Sequence, residues 1–470
     1  MKLSPFFLFL SIPVLAQEPI LYNRIPIPKE FLTTQDGHRF GGDIRICDLN
    51  GDSQCDFLVY RSGDKGPGGP AVGGYKPVFL GAFEMNGKAI WQIGGGGTHP
   101  VRPGSVAVYD IDGDGAAEVI TFFHSPEKGS GAGWDTLEDV VILIIDGKTG
   151  QILRKGAPEG ITRRRCAPKE GKLSLGRQTA NWVHQRILVA NFRGKERPQD
   201  FIVKLGDTHV AFTDELKVLW TYTTKWVDYS HCPAYIPAVG DIDGDGKDEV
   251  NSGYFLLDDN GKPLWEKKLG NHMDSVAIAE WDGGKVRAIC SGFGHVMDAG
   301  GKALVSLGEE VVPHGQEVRV ADFLPKQPGP EMVIRHQGHK PGIIVVGSQD
   351  GKVLKELEIN ACPNNTGMES VAWNGPGKPA WLFNGDRLWD LETAKAMELY
   401  GLPPANGAKF HRMGFYHCIP ANLCGDEREE VVLWDPTATA VYVFTPAPLN
   451  FPVYKGYGHG PRQYNPRIMD

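Results

Sequence analysis

The chain has 470 residues, of which 60 are glycine and 34 proline, and a formal net charge of −8. This acidity, with no basic run beyond Arg163-Arg164-Arg165, argues against a nucleic-acid partner, because phosphate backbones are held by clustered lysines and arginines. So much glycine and proline divides the chain into many short elements and points to an all-β fold without long helices.

The first 16 residues have the form of an export signal: Lys2, an apolar stretch over residues 6–15 broken by Ser11 and Pro13, and a small-residue cleavage site at Val14-Leu15-Ala16. The mature chain is then a single domain over residues 17–470, secreted from the cell or into a periplasm. No later stretch approaches the ~20 apolar residues needed to span a bilayer, so no membrane partner is expected. Eight cysteines, an even number in an oxidising compartment, permit disulfides, with Cys47–Cys55 and Cys418–Cys424 as the local candidates. Asn364-Asn365-Thr366 is a glycosylation acceptor.

Residues 21–28 read as a strand that closes a ring against the last unit. Three acidic loops follow: Asp48-Leu49-Asn50-Gly51-Asp52 with Asp56, Asp110-Ile111-Asp112-Gly113-Asp114 with Glu118, and Asp241-Ile242-Asp243-Gly244-Asp245 with Glu249. Oxygen ligands at alternate positions, a glycine that permits a sharp turn and a late acidic residue make half of a hard-cation loop, for which calcium is the usual occupant. Without a cation the clustered charges repel one another, so calcium is expected to staple these turns.

Degenerate relatives of the same pattern lie at 187–191 with 200–203, 276–281 with 286–290, 318–322 with 331–334, 371–373 with 380–383, and 421–422 with 430–433, giving eight starts. Second hairpins around Gly147-Lys148, Gly261-Lys262 and Gly351-Lys352 bring the units to four strands. Four-stranded units repeating every ~40 to 80 residues predict an all-β chain folded as a single β-propeller of seven or eight blades, a ring that leaves few free sheet edges.

In a propeller the first strand of each blade lines the channel, and its starting end opens on the face that usually binds ligand. Reading back from each turn places His38, His99, His184 with Arg186, His231, His272, His314, and His411 with His417 at that end. The antiparallel second strand returns to the same face. His99 is therefore expected to meet His124, His272 to meet His295, His314 to meet Arg335, His336 and His339, and His231 with Cys232 to meet Tyr254. Imidazoles, with an unperturbed pKa near ~6.5, exchange protons at mild pH, so facing histidines with an arginine form an acid–base and charge-neutralising set. His272, His295, His314 and His336 also carry the ligand type of a zinc site, although no tight spacing supports one.

Four stretches carry a resemblance: Asn181-Trp182-Val183-His184-Gln185-Arg186 with Ala190-Asn191-Phe192-Arg193-Gly194, Pro313-His314-Gly315-Gln316-Glu317-Val318-Arg319, Tyr416-His417-Cys418-Ile419-Pro420-Ala421, and Gly460-Pro461-Arg462-Gln463-Tyr464-Asn465-Pro466-Arg467. Through them nearly the whole mature chain resembles the secreted propeller polysaccharide lyases that include ulvan lyases and fungal rhamnose–glucuronate lyases and, more distantly, rhamnogalacturonan lyases. The resemblance implies an acidic, rhamnose-containing polysaccharide or oligosaccharide as partner, with a rhamnosyl–glucuronate bond preferred. It also implies β-elimination, in which a base removes the proton from C5 of a uronate and the oxygen at C4 leaves.

The residues it implies are His99 and His124 for proton transfer, with His124 as base, and Arg186 against the carboxylate, where negative charge develops. The tyrosine that the family often has shortly before this arginine is missing from residues 163–181. Either one histidine is then both base and acid, or Tyr235 or Tyr254 reaches in. His184, two residues before Arg186 on the same strand face, with His231 and His314, completes the binding candidates. A monomer is expected.

Two other readings remain open. A non-catalytic, calcium-dependent carbohydrate-binding or adhesion propeller would need the acidic loops but no ring of histidines. A glycoside hydrolase would need two carboxylates across the channel, for which Glu317 and Glu369 are candidates.

Overall fold

A hairpin with alternating apolar residues has two faces to bury, and the chain buries both by stacking one four-stranded sheet against the next. The computed structural model describes residues 19–26, 43–62, 77–94, 106–124, 140–156, 186–205, 208–225, 234–270, 273–359, 367–402, 417–434, 440–446 and 455–467. The export segment, the glycosylation acceptor, His38, His99, His184, His231, His272 and His411 lie outside the described residues.

Eight sheets form eight blades of a β-propeller. Their inner strands are Asp43–Cys47, Val106–Tyr109, Arg186–Ala190, Ala238–Gly240, Met273–Asp282, Glu317–Ala321, Glu369–Val371 and His417–Ala421, for blades 1 to 8 in order. All eight coincide with the starts read from the sequence. Blade 5 carries a fifth strand, Ala234–Ile236, parallel to its inner strand.

The ring is closed by the N-terminus. Ile20–Pro26 pairs antiparallel with Ala440–Thr445, so blade 8 takes three strands from the end of the chain and one from its beginning. The core is a series of apolar clusters between neighbouring blades. The cluster joining blades 8 and 1 contains Ile25, Ile44, Phe57, Ile419, Trp434 and Val441.

The two expected local disulfides are not formed: Cys47, Cys55, Cys418 and Cys424 are free thiols. Strand alternation explains this. Cys47 faces the cluster between blades 1 and 2, whereas Cys55 faces the one between blades 8 and 1. Cys418 is buried between blades 7 and 8, while Cys424 sits in the loop with its Sγ 3.2 Å from Glu430 Oε1.

Ring closure makes Ile25 a sensitive position, since it packs across the seam from both sides. Ile25→Ala should lower unfolding free energy by about 2–4 kcal/mol in urea titration. An unchanged transition midpoint would mean that the N-terminal strand does not hold the ring.

Candidate functional site

The starting ends of the inner strands gather polar and titratable groups. Arg186 opens blade 3's inner strand directly across from Lys204, which lies across from His209 on the next strand. Cross-strand partners present their side chains on one face of the sheet, so Arg186 and Lys204 form a basic pair in blade 3, with His209 next in the row running outward from the channel. Lys204 is buried and donates to the carbonyls of Ala234 at 2.6 Å and Tyr235 at 2.9 Å, pinning the extra strand of blade 5. His209 beside it is pushed down to about 3, first by burial and then by Lys204, and its Nε2 pairs with Ser252 Oγ at 2.8 Å. It is a neutral core histidine.

Blade 6 contributes a second element at the same face. His314 Nε2 lies 3.2 Å from Asp274 Oδ2, and the imidazole is 37% exposed while Asp274 is 3% exposed. Backbone pairing sets this position: His314 N–H donates to the His336 carbonyl at 3.1 Å, Gly338 N–H to the His314 carbonyl at 2.7 Å, and Gln316 N–H to the Arg335 carbonyl at 2.8 Å. The predicted meeting of His314 with Arg335 and His336 is thus present as backbone pairing. A Cβ on Gly315 would stand 1.8 Å from the Ser291 carbonyl oxygen, so glycine is required for blade 6 to approach blade 5 this closely. A part-exposed imidazole oriented by a buried carboxylate has the form of a proton-transfer group with a fixed direction.

The acidic residues that a hydrolase would use are committed elsewhere. Glu317 Oε1 accepts N–H groups from Gly367 at 3.0 Å and Met368 at 3.2 Å, and Glu369 takes Arg319 Nη2 at 2.7 Å.

At the opposite face the acidic loops share one geometry. In blade 4 the Gly244 and Gly246 N–H groups donate to Asp241, and Asp245 N–H donates to Asp243. The Ile242 N–H donates to Glu249 Oε2 at 2.9 Å. Gly244 takes a left-handed φ of +85° to allow the turn. Asp241, Asp243 and Glu249 place ligand oxygens within 4.8 Å of one another, as do Asp110, Asp112 and Glu118 in blade 2. Glu249 Oε1 is buried with no hydrogen-bond partner. Burial above all, then neighbouring carboxylates, push Glu118 and Glu249 up to about 8, and Asp56 of the blade 1 loop likewise to about 8. Asp48 accepts Gly51, Asp52 and Ser53 N–H groups, and Asn50 accepts a second bond from Asp52 N–H. Asp114 accepts the Ala116 N–H and meets Lys148 Nζ at 2.8 Å.

Blade 3 solves the same problem with its own cation. Arg193 Nε is 2.7 Å from Asp200 Oδ1, its backbone N–H donates to Asp200 Oδ2 at 3.1 Å, and its Nη2 reaches Asp214 at 3.1 Å. The Arg193 guanidinium thus supplies a counter-charge to Asp200 from within its own loop, while the blade 2 loop has Arg197 Nη1 3.6 Å from Asp110 Oδ1.

Three expectations are corrected. Tyr254 is fully buried with its hydroxyl donated to the Gly270 carbonyl, so it does not reach a ligand in the channel. His295 reaches the starting face one strand further out than expected, because the blade 5 hairpin turns through only Gly283 and Gly284, so its second strand, Lys285–Cys290, ends early and His295 opens the third strand across from Cys290. Residue 295 has already begun the third strand, with ring nitrogens on Ser306 Oγ and the Leu269 carbonyl, both at 3.0 Å. The zinc set therefore does not converge among the described residues: His336 is buried with Nε2 against Gln337, and His314 is turned to Asp274.

Tyr235 is 9% exposed beside Lys204, and Arg186 is half-buried. His124 ends blade 2's second strand opposite Val140, three residues past the Val106–Thr121 pair, and so reaches the starting face. Lys204, Asp274 and Arg319 were not among the candidates. Asp274 had a signal, standing two residues after His272 where blade 5 begins.

Comparison with known proteins places this geometry in context. The model of rhamnogalacturonan lyase family 11, C-terminal domain, matches residues 22–132. The chain is similar to rhamnogalacturonan endolyase YesW of Bacillus subtilis (strain 168), at 23% identity over 465 residues covering 90% of this chain and 71% of the relative. The crystal structure of YesW superposes with a TM-score of 0.67 at 21% identity, covering 93% of this chain and 77% of that one. Rhamnogalacturonan exolyase YesX of the same organism is 25% identical over 291 residues, 57% of this chain and 47% of the relative. The Vibrio cholerae biofilm matrix protein Bap1 shares the fold alone, with a TM-score of 0.59 at 13% identity, covering 96% of this chain and 94% of that one. The matches fall on the rhamnogalacturonan lyases, the group that the sequence resemblance set at greater distance. Together with the eight-bladed ring, they identify the chain as a β-propeller polysaccharide lyase.

Proposed function

We propose that the chain is a rhamnogalacturonan lyase that cleaves the bond between rhamnose and C4 of galacturonate by β-elimination, at the face where the inner strands begin. The observation that carries this reading is the basic pair of blade 3, Arg186 across from Lys204, on the same face as the His314–Asp274 pair. A polyanionic substrate needs positive charge where its carboxylate lies, because the carboxylate must be neutralised before the neighbouring C–H becomes acidic. Arg186 takes that role. His124 accepts the C5 proton, the electron pair forms the C4–C5 double bond, the C4–O bond breaks, and His99 protonates the departing oxygen. His314, held by Asp274, supports the substrate beside them. The rhamnosyl–glucuronate bond is the second substrate to be tested, and the protein acts outside the cell as a monomer after loss of residues 1–16.

The test follows the ultraviolet absorbance of the new double bond, conjugated to the carboxyl group, with rhamnogalacturonan, ulvan and gum arabic as substrates. Absorbance should rise with rhamnogalacturonan. His124→Ala and Arg186→Ala should each lower kcat/KM by about 100-fold or more, while His314→Ala should act mainly on KM. A folded protein that binds these polymers with no rise in absorbance would mark it as a calcium-dependent binding propeller instead.

We further propose calcium as the structural ion of the loops in blades 1, 2 and 4, supported by the unpartnered Glu249 Oε1 and by the ligand oxygens of Asp241 and Asp243 beside Glu249. When bound, the ion supplies the positive charge that these buried carboxylates need. Without calcium, Glu118 and Glu249 titrate near 8 in the folded chain but near ~4.3 when unfolded. Between those values the unfolded chain has lost protons that the folded chain keeps, so the calcium-free protein should lose stability as pH rises from about 4 to 8. Calcium should raise Tm and flatten that slope, and a chelator should restore it. Equal melting curves with and without chelator at pH 8 would refute structural calcium.

A further inference from the structure

The C-terminal segment crosses the acidic-loop face and turns into the channel. Gly456 and Tyr457 N–H groups donate to the Ser53 carbonyl at 2.8 and 3.1 Å, and Gln463 Nε2 donates to the Pro420 carbonyl at 2.8 Å. The Asn465 side chain accepts from Val189 N–H and donates to its carbonyl, both at 2.8 Å. Tyr464 packs edge-on against Tyr109, with ring centroids 4.8 Å apart. The chain thus descends to the middle of the ring, where Arg319 Nη2 donates to the Arg467 carbonyl at 2.9 Å.

The segment does not fill the channel. A cavity of about 250 Å³ remains beside it, walled by apolar groups such as Ile236, Ala277 and Ile419, and also lined by Arg319, Arg462, Arg467 and one carboxylate, Glu369. Three guanidinium groups around one small space need counter-charge. Arg462 has Glu429 at 2.7 Å, and Arg319 Nη2 has Glu369 at 2.7 Å. Glu317, at 3.7 Å from Arg319, accepts two backbone N–H groups. What remains is Arg319 Nε and Arg467 Nη2, both shut off from solvent and without a hydrogen-bond partner. Arg319 itself is 3% exposed. Burial and the neighbouring Arg319 push Arg467 down to about 9, which leaves it a cation at neutral pH in a place that disfavours one.

We propose that this channel cavity binds a small anion between Arg319 Nε and Arg467 Nη2. Water alone satisfies N–H groups but brings no counter-charge, whereas an anion does both. A cavity of ~150 Å³ already holds benzene, so the space admits an organic carboxylate as well as an inorganic ion, and a planar carboxylate matches the guanidinium edge. The site lies on the tail side of the channel and is independent of the lyase reading.

The experiment is calorimetric titration of the full-length protein, in a buffer low in anions, with sodium chloride, sodium acetate and sodium galacturonate. Crystals soaked in sodium bromide provide the second readout, by anomalous scattering. One-to-one binding of at least one anion is expected, with a bromide peak between Arg319 Nε and Arg467 Nη2. Tighter binding of acetate or galacturonate assigns an organic carboxylate, and chloride alone an inorganic ion. Arg467→Gln should weaken binding by about tenfold or more, the scale of one charge-assisted hydrogen bond, and Arg467→Lys by less. No saturable binding together with no bromide in the cavity overturns the proposal, as does unchanged affinity in a folded Arg467→Gln protein. Polysaccharide cleavage measured in parallel separates this result from the fate of the lyase reading.

Discussion

The carboxylate at the start of a blade's second strand is the constraint on which the rest of the ring depends. Asp56, Glu118, Asp200, Glu249, Glu331 and Glu430 each fold back to accept a backbone N–H from the end of the preceding strand, at Leu49, Ile111, Arg193, Ile242, Phe323 with Leu324, and Leu423. One side chain fixes the turn and, through it, the pairing register of the inner hairpin. A register slip of one residue would send every apolar side chain of the strand to the other face, away from the inter-blade clusters. The same bond buries a charge, and a buried carboxylate is costly unless paired. Blade 3 meets that cost with an arginine, whereas blades 2 and 4 gather further carboxylates around the buried one.

This arrangement explains why the ring was legible in the sequence. The turn requires an acidic residue at a set distance from the preceding strand, and that requirement left a repeat even where the loop itself had decayed, as at Glu331 and Glu430. Closure by the N-terminal strand was legible for a different reason, since a blade short of one strand at the end of the chain leaves a strand's worth of pairing open at its beginning.

What failed to be legible depended on loop length and on direction. The rule that residues a little over twenty apart meet at the starting face holds for His314 and His336, whose strands are joined by a long loop. In blade 5 a two-residue glycine turn shortens the path, so Ser291, bonded to Ser275, follows the second strand and His295 stands in the third. The cysteine pairs failed because closeness in sequence says nothing about which side of a sheet a side chain faces. Asp274 and Lys204 were hidden because a single charged residue in a strand has no pattern of its own. Only the fold shows that one orients His314 and the other lies across from Arg186.

The two faces of the ring therefore carry different physics. On the acidic-loop face, charge is concentrated in repeated turns, where carboxylates hold the backbone in place by accepting its N–H groups. On the opposite face, charge is mixed and irregular, with arginine, lysine, histidine and buried aspartate each fixed by a different blade. A repeat can stabilise a ring, but an asymmetric substrate needs different groups at different positions around it. Two departures from the repeat, at the close approach of Gly315 to blade 5 and the extra strand beside Lys204, fall where the inner strands begin. That placement is what the proposed cleavage of an acidic, rhamnose-containing polysaccharide would require of a repeat fold.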